Sequence, residues 1–324
     1  MTSSPRGLPA GFTLRRPRSG DVDDIVDLVA AADLAVSGES LASRDELRAD
    51  WAHARFELGR DAWLVAAADG GLAAWAWVLD VAAAHTSIDG EFVVHPDHQW
   101  RGLEAPLLAW IEGYAADIAA GAAADARVSL GVWCDRRDRR AELYQSAGFA
   151  RVRSFLRMRL ALDDLPADGL AYAPPAGLEV RRFTRGRDER ALWATSEDAF
   201  AEHFRFSDQP FEEWLPSKLA DEVDTDLWFA AWDDDQMVGY VIGYVEPYGG
   251  YVDQLAVRRP WRRRGVGSLL LLTAFTALRE RGCANAVLGV DADNQSGAVG
   301  LYERAGMRPS LVHDFYEKIL RDGR

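Results

Sequence analysis

The sequence predicts an α/β (α+β) protein of two tandem domains, each a mixed, mainly antiparallel sheet flanked by helices. Three observations predict it. Segments of helical and of strand periodicity alternate along the chain, as expected for helices layered on a sheet. Four short segments recur in the same order at spacings of 158 to 166 residues, which points to duplication of a whole domain. A polar stretch rich in proline and glycine, Asp163 to Gly177, separates the two sets. The first domain is therefore expected at residues 1–162, a linker at 163–177 and the second domain at 178–324.

Leu14-Arg15-Arg16-Pro17 opens the first half and leads into an amphipathic helix expected at Asp21–Ala32. Trp63 to Gly71 reads as a strand running into the tight turn of a hairpin. Phe92-Val93-Val94 is the next strand, followed by the turn Gln99 to Glu104 and a helix at Ala105–Ala119. Pro106 is acceptable there, because the first turn of a helix needs no N–H from it. Leu143 to Phe149 closes the half. The second half repeats the plan with Val180 to Phe183, Trp228 to Gln236, Tyr251 to Val257, Arg262 to Gly267, a helix at Ser268–Arg281, and Leu301 to Met307. In that last helix Leu269, Leu272, Phe275 and Leu278 form an apolar face, and Gly282 ends it.

Composition narrows the function. Of 324 residues, 48% are hydrophobic and 27% charged, which is globular rather than disordered. A net charge of −14 argues against a nucleic-acid partner and favours a cationic one, such as an amine. No apolar run approaches the ~20 residues of a membrane span, so no membrane association is expected. The first residues, Met1 to Arg6, carry no apolar signal core, and a cytoplasmic location is expected. Two cysteines, Cys134 and Cys283, are too few for a disulfide framework and read as buried strand residues. His95 and His98 have no evident third ligand, so no metal site is expected. Nothing in the sequence fixes the oligomeric state.

The chemistry concentrates between Tyr251 and Met307. An apolar strand ending Leu255-Ala256-Val257 delivers a basic turn, Arg262-Arg263-Arg264-Gly265-Val266-Gly267, to a helix beginning at Ser268. Free backbone N–H groups and the positive end of a helix dipole suit a pyrophosphate. The two glycines permit close approach. Asn294 is placed to cap the next helix, which carries Tyr302. A phenol near pKa 10 is a competent proton donor. Asp253 on the strand and Glu246 at the end of the preceding one are the candidate general bases or ammonium anchors, and simple alternation puts Asp253 on the face of Leu255 and Val257.

The Arg-x-x-Gly-x-Gly turn at Arg262, Gly265 and Gly267, with Asn294, Ala298, Leu301 and Tyr302 downstream, resembles the GNAT superfamily of acyl-CoA-dependent N-acyltransferases. The tandem arrangement is similar to that of the mycothiol synthases. The resemblance implies acetyl-CoA as the acyl donor, bound by Leu255, Ala256, Val257, Arg262, Arg263, Arg264, Gly265, Val266, Gly267, Ser268 and Asn294. It implies Tyr302 as general acid and a small-molecule primary amine as acceptor, acetylated by direct transfer in a ternary complex. A cysteinyl amine is one such acceptor. A noncatalytic acyl-CoA-binding protein is the rival reading. The aromatic and acidic segment holding Phe204, Phe206 and Trp214, together with Tyr248 and Tyr251, is the expected acceptor pocket. In the first half Gln99 and Gly102 keep the pattern, but Glu104 puts a carboxylate where phosphates are expected. Asp135 to Arg140 replaces the Asn-to-Ala stretch, while Tyr144 keeps the acid position. The first half therefore reads as a degenerate copy that binds CoA poorly or not at all.

Overall fold

The computed structural model describes residues 4–40, 42–165, 175–206, 208–219, 223–293 and 297–323. Most of the expected linker, and Asn294, lie outside them. In chain order the elements are β1 (Thr13–Arg15), α1 (Val22–Ser37), α2 (Arg44–Trp51), α3 (Leu58–Asp61), β2 (Ala62–Ala66), β3 (Leu72–Asp80), β4 (Ser87–Val94), α4 (Glu104–Ala119), β5 (Val128–Asp135), α5 (Arg140–Ser146), β6 (Ala150–Ala161), β7 (Leu178–Arg182), α6 (Glu189–Phe200), α7 (Phe211–Lys218), β8 (Trp228–Asp233), β9 (Gln236–Glu246), β10 (Gly249–Val257), α8 (Val266–Glu280), β11 (Asn285–Asp291), α9 (Ala298–Arg304) and β12 (Arg308–Arg321).

Caps set the helix ends. α8 begins at Val266, two residues before the sequence expectation, because Gly265 takes φ +86° and stands as its N-cap. It ends where Gly282 turns left-handed and the Cys283 N–H reaches back to the Leu278 carbonyl at 3.1 Å. Cys283 therefore lies in the exit of α8, half-buried, rather than in a strand; Cys134 is buried in β5. α1 runs on past Ala32 to Ser37, where left-handed Gly38 stops it.

The chain forms two compact units. In the first, the strand order is β1-β2-β3-β4-β5-β12; in the second it is β7-β8-β9-β10-β11-β6. Within each, one neighbouring pair is parallel, β4 with β5 and β10 with β11, and the remaining pairs are antiparallel. Each sheet is covered on both faces. In the first unit α4 and α5 pack over Phe92, Leu130 and Tyr316, and α1 over Leu64 and Trp75. In the second, α8 and α9 cover Val252, Leu288 and Met158, and α6 and α7 cover Trp228, Tyr240 and Ala256. Full burial of a Leu, Ile, Phe or Met side chain contributes ~1.5–3 kcal/mol.

The units do not follow the division at the linker. The first comprises residues 1–154 and 312–324, the second residues 155–311. Each unit is completed by the last strand of the other half of the chain. β12 pairs with β5 from His313↔Asp135 to Ile319↔Ser129 and buries Phe315 and Tyr316 in the first unit. β6 pairs with β11 from Phe155↔Asp291 to Ala161↔Asn285 and buries Met158 and Leu160 in the second. The exchange is invisible to a domain boundary drawn from composition, because β6 precedes the linker and β12 follows the whole second repeat. No helix among the described residues is long and apolar enough to cross a membrane.

The second unit should depend on the borrowed strand. Residues 178–324 alone lack β6, and losing a buried Met or Leu already costs ~2–5 kcal/mol. That fragment is expected to show no cooperative melt by circular dichroism, whereas residues 150–311 should show one; equal transitions in both would contradict the assignment.

Candidate active site

β10 pairs with β11 only at Gly250↔Ala286 and Tyr251↔Val287. Beyond Tyr251 the two strands part. The gap is a cleft of about 800 Å³, walled by Val252–Val257 on one side and Leu288–Asp291 on the other. Parallel strands that separate leave main-chain donors and acceptors facing the gap, where an amide-bearing ligand can meet them. On its other edge β10 stays paired with β9, through Val257↔Gly239. Gly239 permits this closeness: a Cβ there would lie 2.7 Å from the Ala256 carbonyl oxygen.

A β-bulge interrupts that ladder between Val252 and Gln254, so Asp253 is an extra residue. The bulge overturns the simple alternation. Val252, Leu255 and Val257 pack with the core under α8, whereas Asp253 is re-aimed towards α7, where its Oδ2 accepts from Lys218 Nζ at 2.7 Å. Next to it the Tyr240 hydroxyl donates to Gln254 Oε1 at 2.8 Å. Burial raises the Tyr240 phenol.

The turn after β10 is fixed by its own side chains. Arg262 Nε donates to the Val257 carbonyl at 3.2 Å and its Nη2 to the Ala199 carbonyl at 2.9 Å, tying the strand end to α6. Arg263 takes a left-handed φ of +61° and Gly265 one of +86°. Gly267 has no room for a side chain without displacement, since a Cβ would stand 3.2 Å from Leu301 Cδ2. Val266 is buried, so its contribution to a ligand is confined to its backbone. The first N–H groups of α8 have no partner within the helix and carry its positive dipole end. Arg262, Arg263, Gly265, Gly267 and Ser268 all line the cleft. Arg264 does not; its guanidinium sits 5.0 Å over the Trp261 ring. A polyanionic cofactor fits this end of the cleft.

Tyr302 projects from α9, opened by left-handed Gly297, and lines the opposite wall. It is 7% exposed, and burial pushes its phenol up to about 12. Among the expected acceptor residues, Phe204 lines the cleft together with Phe200 and His203. Phe206, Trp214, Tyr248, Tyr251 and Glu246 do not. Trp214 is part of the core under α6 and α7. Glu246, Tyr248 and Tyr251 sit at the β9–β10 hairpin end, where β10 and β11 are still paired and no gap has opened. Of the two candidate bases, the structure brings Asp253, not Glu246, into the cleft with Tyr302. Phe155 and Arg304 also line it and were not anticipated. Phe155 belongs to β6, in the other half of the sequence; Arg304 shares α9 with Tyr302 but carries no spacing signal.

The first unit keeps the backbone of this site and fills it differently. Trp100 and Gly102 repeat the left-handed pair, with φ of +59° and +93°. Glu104 is turned inward, only 5% exposed, and its carboxylate accepts from the Trp100 N–H. It satisfies the turn rather than merely repelling an anion there. Arg140 donates to the Phe92 carbonyl, on the strand segment matching Leu255, and to Asp138 at 2.7 Å. Tyr144 is fully buried among Phe92, Phe149 and Tyr316, and its hydroxyl has no hydrogen-bond partner. Burial raises that phenol too. Among the described residues, no group of three or more His, Cys, Asp or Glu is arranged to hold a metal ion.

Comparison with known proteins agrees with this geometry. Residues 190–307 match the acetyltransferase (GNAT) family. The mycothiol acetyltransferase of Geodermatophilus obscurus is 31% identical over 296 residues, covering 89% of this chain and 91% of that protein. That of Kineococcus radiotolerans is 33% identical, covering 92% and 94%. Among solved structures, a GCN5-related N-acetyltransferase from Sphaerobacter thermophilus superposes with a TM-score of 0.83 at 33% identity, covering 98% of both chains. A tandem GNAT protein from the clavulanic acid biosynthesis pathway gives 0.69 at 18% identity, covering 97% of this chain and all of that one, which is a likeness of fold. A cleft opened by parting parallel strands, a glycine turn at one end and a buried tyrosine at the other, together with relatives of this length, show that the chain belongs to the GNAT family of acyl-CoA N-acetyltransferases, in the tandem form.

Proposed function

We propose that the chain transfers an acetyl group from acetyl-CoA directly to the primary amine of a small molecule, in a ternary complex held by the cleft of the second unit. The observation that carries this reading is the parting of β10 and β11 between the N-terminus of α8 and Tyr302. Acetyl-CoA supplies the acyl group as a thioester. The N–H groups from Gly265 to Ser268 receive its pyrophosphate, with Arg263 adding charge. The free edge of β10 from Leu255 to Val257 pairs with its amide-bearing arm, and a backbone N–H there steadies the oxyanion. The ammonium first gives a proton to Asp253, which passes it to solvent. The amine nitrogen then bonds to the carbonyl carbon, the carbon–sulfur bond breaks, Tyr302 gives its proton to the departing thiolate, and the proton that the nitrogen sheds restores the phenol. Asp253 is the carboxylate that draws the ammonium in. Neither cysteine lines the cleft, in keeping with direct transfer.

The relatives named mycothiol acetyltransferase favour a cysteinyl amine as the acceptor. S-methylcysteine amide mimics that group and leaves thiol detection undisturbed.

CoA release should be measured against a panel holding S-methylcysteine amide, glucosamine and putrescine. Tyr302→Phe should lower kcat by about 10²-fold or more, the usual scale of general-acid catalysis; an unchanged kcat removes Tyr302 from that role. A phenol near 12 stays protonated throughout the assay range and loses its donor proton only as pH rises through about 12. The rate is therefore expected to show no alkaline decline below about pH 11 from this group. Calorimetry should find one CoA site per chain, because Glu104 and Arg140 occupy the corresponding places in the first unit; two equal sites would refute that.

A further inference from the structure

Lysine occurs twice in this chain, at 218 and 318, among 37 basic residues that are otherwise arginine. Lys318 is committed to the first unit, where Nζ meets Glu112 and the Ala147 carbonyl. Lys218 ends α7 and meets Asp253, the residue that the β10 bulge turns out of its ladder and into the cleft lining. The two side chains are 21% and 28% exposed, so they can separate without any element unfolding. A chain that uses arginine for almost every cation uses lysine here. The difference is chemical. Arginine would grip the carboxylate with a rigid two-pronged fork, whereas lysine offers a single primary ammonium on a flexible stem. A primary ammonium is also the head group of the proposed acceptor.

We propose that Lys218 is an internal stand-in for the acceptor: its ammonium holds Asp253 in the empty site and is displaced when the acceptor's ammonium takes the same place. Asp253 lies two residues from Leu255, ~7 Å along a strand. An ammonium held there waits within one side-chain length of the strand segment to which the proposed function assigns the acyl donor. A partly buried carboxylate left without a cation is costly, and Lys218 removes that cost while the cleft is empty. The exchange trades one ammonium for another, so the local charge does not change as the acceptor enters. It also sets specificity, because a neutral molecule of the same shape cannot displace Lys218. This deepens the reading of the chain as an amine acetyltransferase and rests on it.

Two measurements test it. Full-length protein labelled with 13C-lysine gives two Cε–Hε signals, assigned with Lys318→Arg. Ethylammonium chloride should shift the Lys218 signal towards that of a free lysine, with Lys318 unmoved and sodium chloride at equal ionic strength without effect. With S-methylcysteine amide as acceptor, Lys218→Met should lower KM about two- to fivefold, the scale of a partly exposed ion pair that no longer has to be broken. Lys218→Arg should raise it, with both changes in KM rather than kcat. The proposal is overturned if ethylammonium leaves Lys218 in place, or if Lys218→Met lowers kcat and Lys218→Arg restores it, which is the behaviour of a positioning residue. A Lys218 shift without turnover of any amine would uphold the exchange and refute the enzymatic reading. Turnover with Lys218 unmoved would do the reverse.

Discussion

The site depends on one constraint: β10 cannot stay hydrogen-bonded to β11 beyond Tyr251. A bulge adds a residue to one strand, bends it and increases its local twist. Here it falls at Asp253, just past the last shared pair. From that point β10 keeps β9 and loses β11, and the gap becomes the cleft. The turn that follows is held open by Arg262, bonded to the end of β10 and to α6 at once. The start of α8 is therefore aimed into the gap by the Arg262 side chain rather than by the ligand. A site arranged in advance spends little ordering itself on binding.

The first unit meets with its own side chains the kind of backbone groups that the second leaves facing its cleft. Backbone conformation has survived, since Trp100 and Gly102 keep the left-handed values of Arg263 and Gly265. Polar groups built to meet a ligand are costly when left bare in the interior. In the first unit they are met from within, by the carboxylate of Glu104 and the guanidinium of Arg140. Tyr144 then loses its opening and becomes a packed ring. Glu104 and Arg140 thus have structural roles of their own in that unit.

Much of the fold, and the glycine turn at one end of the cleft, could be read from the sequence. Gly265 announces itself because few other residues tolerate its left-handed conformation. The duplicated segments announce the repeat. The rest depended on geometry that a pattern of residues does not encode. A bulge does not alter composition, so the alternation rule placed Asp253 on the wrong face. Glu246 and Tyr251 are near the cleft in sequence, yet they sit where the strands are still joined. Trp214 looked like an aromatic contact and is core, because aromatic residues serve both purposes equally well. Phe155 reaches the cleft from a strand that the sequence assigns to the other half.

That trade of terminal strands bears on how the molecule is made. β5 ends at Asp135, and its antiparallel neighbour β12 begins at Arg308, with the entire second repeat between them. On the ribosome, which adds ~5–20 residues per second, the first unit cannot close its sheet when its own repeat has emerged. It must hold an open edge while the second repeat is translated. Nascent β5 therefore presents an unpaired edge, the kind that invites wrong pairing, until the segment from His313 to Arg321 has emerged.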